Sequence, residues 1–220
     1  MMPDNMRRAE LVSKIITKRS RILEIGSGHG FFLDIMKKNG YDITGFEISK
    51  EKRKYSKKVT KVPVLDININ EKIPTVKPFD IVVLFHTLEH IIDPVILLKN
   101  IKKLLKPKGK VLVEVPNCDD FHLGLNKFYK EFYWERAHIH YFNPKILKNV
   151  IQKSSFKNIR IVGVQRYGIE NFFHWKLKNK PQMENPSYSL PIELNWIEKN
   201  YKNFLVDKLI CDTIMVVANI

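Results

Sequence analysis

The sequence predicts an α/β protein, with an open and mostly parallel sheet packed between layers of helices. Ile22 to Ile25 is a short, β-branched apolar run that breaks at Gly26, Gly28 and Gly30, after which Phe31, Phe32, Ile35 and Met36 recur at helical spacing. Phe79 to Phe85 is continuously apolar, the pattern of a strand buried on both faces. Around these two landmarks, strand-like runs alternate with segments of helical period, as in a chain of βα units.

Residues 4–18 place Leu11, Val12, Ile15 and Ile16 on one face among basic residues and read as an amphipathic helix covering the sheet. The first strand then runs into the three glycines, where a backbone without Cβ atoms turns sharply from strand to helix and lets a ligand lie directly on it. Gly40 ends that helix and Tyr41 to Phe46 forms the second strand. Glu47 closes it, about twenty residues after the glycine loop, where a carboxylate accepts hydrogen bonds from ribose hydroxyls in dinucleotide-type folds. Ser49 caps a very basic helix, and Val62 to Leu65 is a third strand. The fourth strand, Phe79 to Phe85, delivers His86, Thr87, Leu88, Glu89 and His90 to the carboxyl edge of the sheet, where ligands of open α/β folds sit.

Asp93 and Pro94 start the next helix, whose buried stripe is Ile96, Leu97, Ile101, Leu104 and Leu105. Gly109 follows it, and Lys110 to Val115 is the fifth strand. Residues 118–142 are aromatic and irregular, too long for a plain connection, and read as a lid-like segment. Asn143 caps and Pro144 opens another helix, Phe156 to Val164 is the sixth strand, and Ile210 to Val217 the seventh. An insertion at 166–208 separates these last two, far longer than a hairpin turn requires.

A chain of 220 residues fits one domain spanning 1–220 and is long enough to bury a substantial core. No apolar run approaches the roughly 18 residues of a membrane span, and no apolar segment follows the N-terminal charges, so a cytoplasmic protein is expected. Cys118 and Cys211 lack metal spacing and read as reduced and structural. The net charge of +15 favours anionic partners, including nucleic acid, although lysines spread through nearly every segment are also what compositional bias produces.

The glycine spacing bears on the ligand. A dinucleotide fingerprint, G-x-G-x-x-G, needs its third glycine where Phe31 stands. The pattern Glu24-x-Gly26-x-Gly28-x-Gly30 instead resembles motif I of the class I S-adenosylmethionine (SAM) dependent methyltransferases. The run FDIVVLFHTLEHIIDPVILLKNIKKLLKPKGKVLVEVPN resembles the corresponding half of their UbiG-like and methyltransferase 23 branch, so the likeness is continuous over residues 20–117. It implies a Rossmann-like three-layer sandwich whose mostly parallel, seven-stranded sheet has an antiparallel last strand. It also implies SAM held by Glu24, Gly26, Ser27, Gly28, Gly30 and Phe31 of the loop, by Glu47 and Ile48 after the second strand, by Asp66 and Ile67 at the adenine, and by Phe85 and His86 after the fourth strand. The insertion's Gln165, Arg166, Tyr167, Gly168, Asn171, Trp175, Lys180 and Pro181 resemble an element of methyltransferases from bacterial surface-polysaccharide clusters.

Methyl transfer to a hydroxyl is an in-line displacement in which positioning supplies much of the rate and a base removes the proton. Histidine suits that work near neutral pH. The candidates are His86, His138 and His140, with Glu89 as the carboxylate alternative, while His90 reads as packing at a helix start and His122 and His174 lie further out. His138 and His140 alternate in a metal-like way, but no carboxylate partner is identified and no metal is assigned. The expected function is therefore SAM-dependent O-methylation of a small or saccharide acceptor, with an anionic acceptor and a homodimer as the expected partners, in capsule or other surface-glycan synthesis. An RNA methyltransferase and a non-catalytic scaffold of the same fold are the alternatives. Against RNA stands the lack of an asparagine-proline-proline motif after the fourth strand; against the scaffold stand the intact glycines and both acidic positions.

Overall fold

A computed structural model describes residues 2–181 and 190–220. The chain runs α1 (Met2–Ile15), β1 (Arg21–Ile25), α2 (Phe31–Lys38), β2 (Asp42–Phe46), α3 (Lys50–Thr60), β3 (Val64–Leu65) and β4 (Phe79–Phe85). It continues through α4 (Pro94–Leu104), β5 (Leu105–Pro116), α5 (Lys127–Tyr133), α6 (Pro144–Lys153), β6 (Lys157–Val164), α7 (Ile169–Lys178), α8 (Asn195–Asp207) and β7 (Thr213–Asn219). The sheet order is β3-β2-β1-β4-β5-β7-β6, with β7 antiparallel to both neighbours and the remaining pairs parallel.

The alternation of side chains across each strand sorts the core into two layers. Leu23, Val82, Leu84, Val111 and Val113 point to the face covered by α4, α6 and α8. Ile22, Ile43, Ile81, Val83 and Leu112 point to the face covered by α1 and α2. The expected three-layer sandwich is therefore the observed one. Capping follows the sequence: Ser49, Asp93 and Asn143 each accept a bond from the backbone N–H three residues on, and Pro94 and Pro144 open their helices.

Several boundaries move. The last strand is Thr213–Asn219 rather than Ile210 to Val217, because Asp212 turns aside to bind the backbone N–H groups of Arg166 and Tyr167. The fifth strand begins at Leu105 and contains Gly109, since Leu105 pairs with Phe79 across a bulge. The third strand shrinks to two residues. In the insertion at 166–208, α7 and α8 fill most of the length, and residues 182–189 lie outside the described residues. Among the described residues no helix is long and apolar enough to cross a membrane. Cys118 and Cys211 are both free thiols.

What positions a site is the switch in strand order. From β1 the chain steps outward through β2 and β3, then returns to lay β4 on the other flank of β1. The helices that follow β1 and β4 leave on opposite faces, so a crevice opens between the carboxyl ends of these two strands.

Candidate active site

Two chambers meet at that crevice, and the glycine loop lines the first. Gly26, Gly28 and Gly30 all have positive φ, at 73°, 54° and 82°, in the left-handed region that favours glycine. A Cβ on Gly26 would run into the side chain of Thr87, so β4's continuation packs directly against the loop; a Cβ on Gly28 would meet nothing within 4 Å. That open backbone face is where a ligand can rest. Glu47, buried at the end of β2, accepts from Gly28 N at 2.7 Å and Ser49 N at 2.8 Å, which ties the loop to the next strand.

Below the loop lies a small slot of about 80 Å³, walled by Glu47, Ile48, Ile67, Ile69, Thr87 and Ile91. Its branched aliphatic walls suit a flat heterocycle. Glu24 and Ser27 are buried, and Glu24 Oε2 and Ser27 Oγ have no hydrogen-bond partner. Burial pushes the Glu24 carboxyl well above the usual range, Arg8 pulls it back and Glu47 adds to the rise. A buried carboxyl in that condition is a ready partner for a cationic amine. Aliphatic slot, ribose-height carboxylate, bare glycine face and unpartnered Glu24 together fit an adenosyl amino-acid cofactor.

Other residues expected at the cofactor sit elsewhere. Asp66 is largely exposed and paired with Arg53 at 2.6 Å, because β3 ends at Leu65 and α3 brings Arg53 alongside. Asn68, Ile69 and Asn70 line the slot in its place. Phe31 lies on the outer side of α2 in a surface hollow with His29 and Tyr55. Phe85 faces the α1 layer, with Arg8 over its ring.

The second chamber, about 220 Å³, is lined by His86, Glu89, His90, Tyr129, Tyr133, His138, Arg166 and Asp212, among others. His86 leaves β4 with φ 49°, a strained conformation for a non-glycine residue. Its Nδ1 is 3.3 Å from Glu89 Oε1 and its Nε2 is 3.5 Å from Glu114 Oε1. Burial lowers the His86 pKa, but the two carboxylates more than reverse this and the net direction is upward. Glu114, fully buried on β5, is gripped by Arg7 at 2.9 Å and Arg8 at 2.6 Å from α1. Burial raises its pKa, and His86, Arg8 and Arg7 outweigh that and hold it far below the usual carboxylate range.

His138 reaches the chamber from the aromatic segment, as Ile139 N and His140 N both donate to Glu89 O, at 2.9 and 3.1 Å. The structure brings His86, Glu89 and His138 together. His140 is left out: its Nε2 lies 3.1 Å from Ile92 O on an exposed face. His90, read from the sequence as packing, instead faces the chamber with its ring 4.9 Å from that of His138. Behind the wall, Asp120 binds His122 Nδ1 at 2.6 Å and accepts from Tyr129, while Tyr201 of α8 meets His122 Nε2, stitching the lid-like segment to the insertion.

Glu114, Arg7, Arg8, Tyr129 and Asp212 carry no motif, and sequence reasoning missed them. For Glu114 a signal existed, a single carboxylate inside the otherwise apolar run VLVEV. A charge in a strand buried on both faces needs a partner.

An open α/β sheet with its glycine loop at the strand-order switch, a following carboxylate and an antiparallel last strand defines a class I SAM-dependent methyltransferase. The methyltransferase domain family model known as methyltransferase 23 matches residues 3–161, and the chain belongs to that family. S-adenosylmethionine is its cofactor. Ubiquinone biosynthesis O-methyltransferase of Coxiella burnetii is 29% identical over 109 residues, 47% of each chain, and that of Haemophilus ducreyi 26% over 107. The chain thus spans about half the length of the curated relatives it matches. In fold it is similar to a SAM-dependent methyltransferase from Archaeoglobus fulgidus, with TM-score 0.69 and 20% identity, covering 100% of this chain and 95% of that one. It is also similar to Haemonchus contortus phosphoethanolamine N-methyltransferase 2 bound to S-adenosylhomocysteine, with TM-score 0.63 and 20% identity over 97% of this chain and 52% of that one.

Proposed function

We propose that this methyltransferase moves the methyl group to a hydroxyl of a small, uncharged or saccharide acceptor held in the second chamber. The observation that carries the reading is the thinness of the wall between the chambers. His86 lines the larger one and its neighbour Thr87 lines the slot, and Glu89 and Ile91 repeat the split one turn of chain later. Ligands in the two chambers are therefore adjacent, as direct transfer requires.

Bound SAM supplies an electrophilic methyl: the acceptor oxygen bonds to carbon as the S–C bond breaks, the hydroxyl proton leaves to a base, and S-adenosylhomocysteine remains. The protein's part is arrangement. Glu24, Gly28, Glu47 and Ile67 would hold the cofactor, and His86, Glu89 and His138 would converge on the acceptor oxygen. Tyr129, Tyr133 and Tyr167 offer the flat faces on which sugar C–H groups pack, and Arg166, fixed by Asp212 at 3.1 Å, offers a donor. Glu89, Glu135 and Asp212 offset Arg166 and His86 in the lining, so it carries no surplus of positive charge, which supports a neutral reacting end; any anionic part of the acceptor would sit outside, on the basic surface. A role in surface-glycan synthesis rests on the resemblance of the insertion.

The test uses methyl-labelled SAM with a cell extract split into nucleotide-sugar, polysaccharide, small-phenol and RNA fractions. Base-stable label in a sugar or small-hydroxyl fraction is the expected result. Label confined to RNA would replace this reading, the +15 charge then belonging to the mechanism. Cofactor binding with no label anywhere would favour the scaffold.

A further inference from the structure

We propose that Glu89, His90 and His138 form a binding site for one divalent transition-metal ion in the wall of the second chamber. One donor atom from each lies within 4.8 Å of the others, and they are the one such group of three found among the described residues. A pairing of His138 with His140 lacks a carboxylate; the fold supplies Glu89 and turns His90, not His140, toward it.

The donors look prepared rather than merely close. Glu89 is 1% exposed, and neither of its carboxylate oxygens accepts a hydrogen bond. Its ion-pair contact among the described residues is with His86 Nδ1 at 3.3 Å, too little for a buried carboxylate with two oxygens. His138 Nδ1 is also buried without a partner. His90 Nδ1 sits 2.9 Å from Ala137 O, and facing a carbonyl it carries the proton. That tautomer leaves Nε2 with its lone pair free, and an outer hydrogen bond of this kind is how ligating imidazoles are usually aimed. The bonds from Ile139 N and His140 N to Glu89 O clamp the segment bearing His138 onto the turn bearing Glu89 and His90, so the backbone itself sets the grouping.

Two imidazoles and a carboxylate select Zn²⁺, Co²⁺, Ni²⁺ or Mn²⁺ over Mg²⁺ and Ca²⁺, which prefer oxygen alone. Donors about 2.1 Å from a tetrahedral ion stand about 3.4 Å apart, so the side chains would close by at most about 1.4 Å on binding. Three protein donors leave positions open, and the chamber is what lies beyond them. Resting on the function proposed above, the ion would take the acceptor oxygen as a ligand and favour its deprotonated form, the proton leaving to solvent past the exposed His90 ring.

The test is calorimetric titration of chelator-stripped, tag-free protein with MnCl₂, CoCl₂, ZnCl₂ and MgCl₂, alongside the visible spectrum of the Co²⁺ form. One ion per chain, weak or no binding of Mg²⁺, and intense Co²⁺ d–d bands are expected. Glu89→Gln, His138→Asn and the exposed His90→Gln should each weaken binding by about tenfold or more, while His140→Asn should not. His90→Gln guards against a variant that fails to fold. Absence of binding, or binding unmoved by all three substitutions, would overturn the site. S-adenosylhomocysteine is titrated into the same stripped sample: if it binds and no metal ion does, only the metal site falls, and if metal binds and it does not, only the function falls.

Discussion

The cofactor slot and the acceptor chamber share a wall but are built in opposite ways. The slot is framed by groups at strand ends and close in the sheet, as when Glu47 reaches Gly28 across the adjacent strand. The chamber is assembled from distant segments: Arg7 and Arg8 meet Glu114 more than a hundred residues away, His138 hangs on Glu89, and Arg166 leans on Asp212. A regular fold can thus supply the common chemistry while irregular segments supply the acceptor, and the two should respond separately to mutation.

The largest effect is expected where α1 is bound to the chamber. Replacing both Arg7 and Arg8 with Ala strips Glu114 of its two guanidinium partners and should cost about 3–5 kcal/mol, read from urea denaturation. Because Glu114 titrates lower in the folded state than in the unfolded, its contribution is full above about pH 4.3 and is lost as pH falls below that. The gap between wild type and variant should therefore be widest near neutrality and narrow in acid; a constant gap would remove Glu114 from the explanation.

Glu47→Gln should weaken S-adenosylhomocysteine binding by about 10- to 100-fold, corresponding to about 1.5–3 kcal/mol for hydrogen bonds to a charged group. Melting temperature should move little, since the loop keeps its bonds from Gly26 and Ser27 to Phe46 O. A comparable loss in both would make Glu47 a structural prop. Tyr201→Phe removes the partner of buried His122 Nε2 and should destabilise by about 1–3 kcal/mol while leaving cofactor affinity alone. The smallest effect concerns reactivity. Burial pushes the Cys211 thiol up to about 11, so an alkylating reagent at pH 8 should modify Cys118, half-buried, well before Cys211.

The same contrast explains what the sequence reveals. Strand–glycine–helix spacing, the carboxylate after β2 and the unbroken run of β4 are local patterns, and period and spacing express them directly. Asp66 shows the limit even there, because its fate depends on Arg53 from the very basic helix before it. The chamber is harder because its partners have no fixed separation in the chain. His138 is legible as a candidate, but that it faces His90 rather than His140 follows from backbone bonds to Glu89 O, which no periodicity encodes. Strand ends shift for a related reason: Asp212 leaves β7 to hold Arg166, a demand of the site rather than of β-propensity.

The most direct test is one titration of S-adenosylhomocysteine into three proteins, the wild type, Glu47→Gln and His138→Asn. Division of labour between slot and chamber predicts binding at one site per chain, an affinity reduced by about 10- to 100-fold in Glu47→Gln, and an affinity in His138→Asn equal to wild type. Equal losses in the two variants, or none in Glu47→Gln, would contradict it.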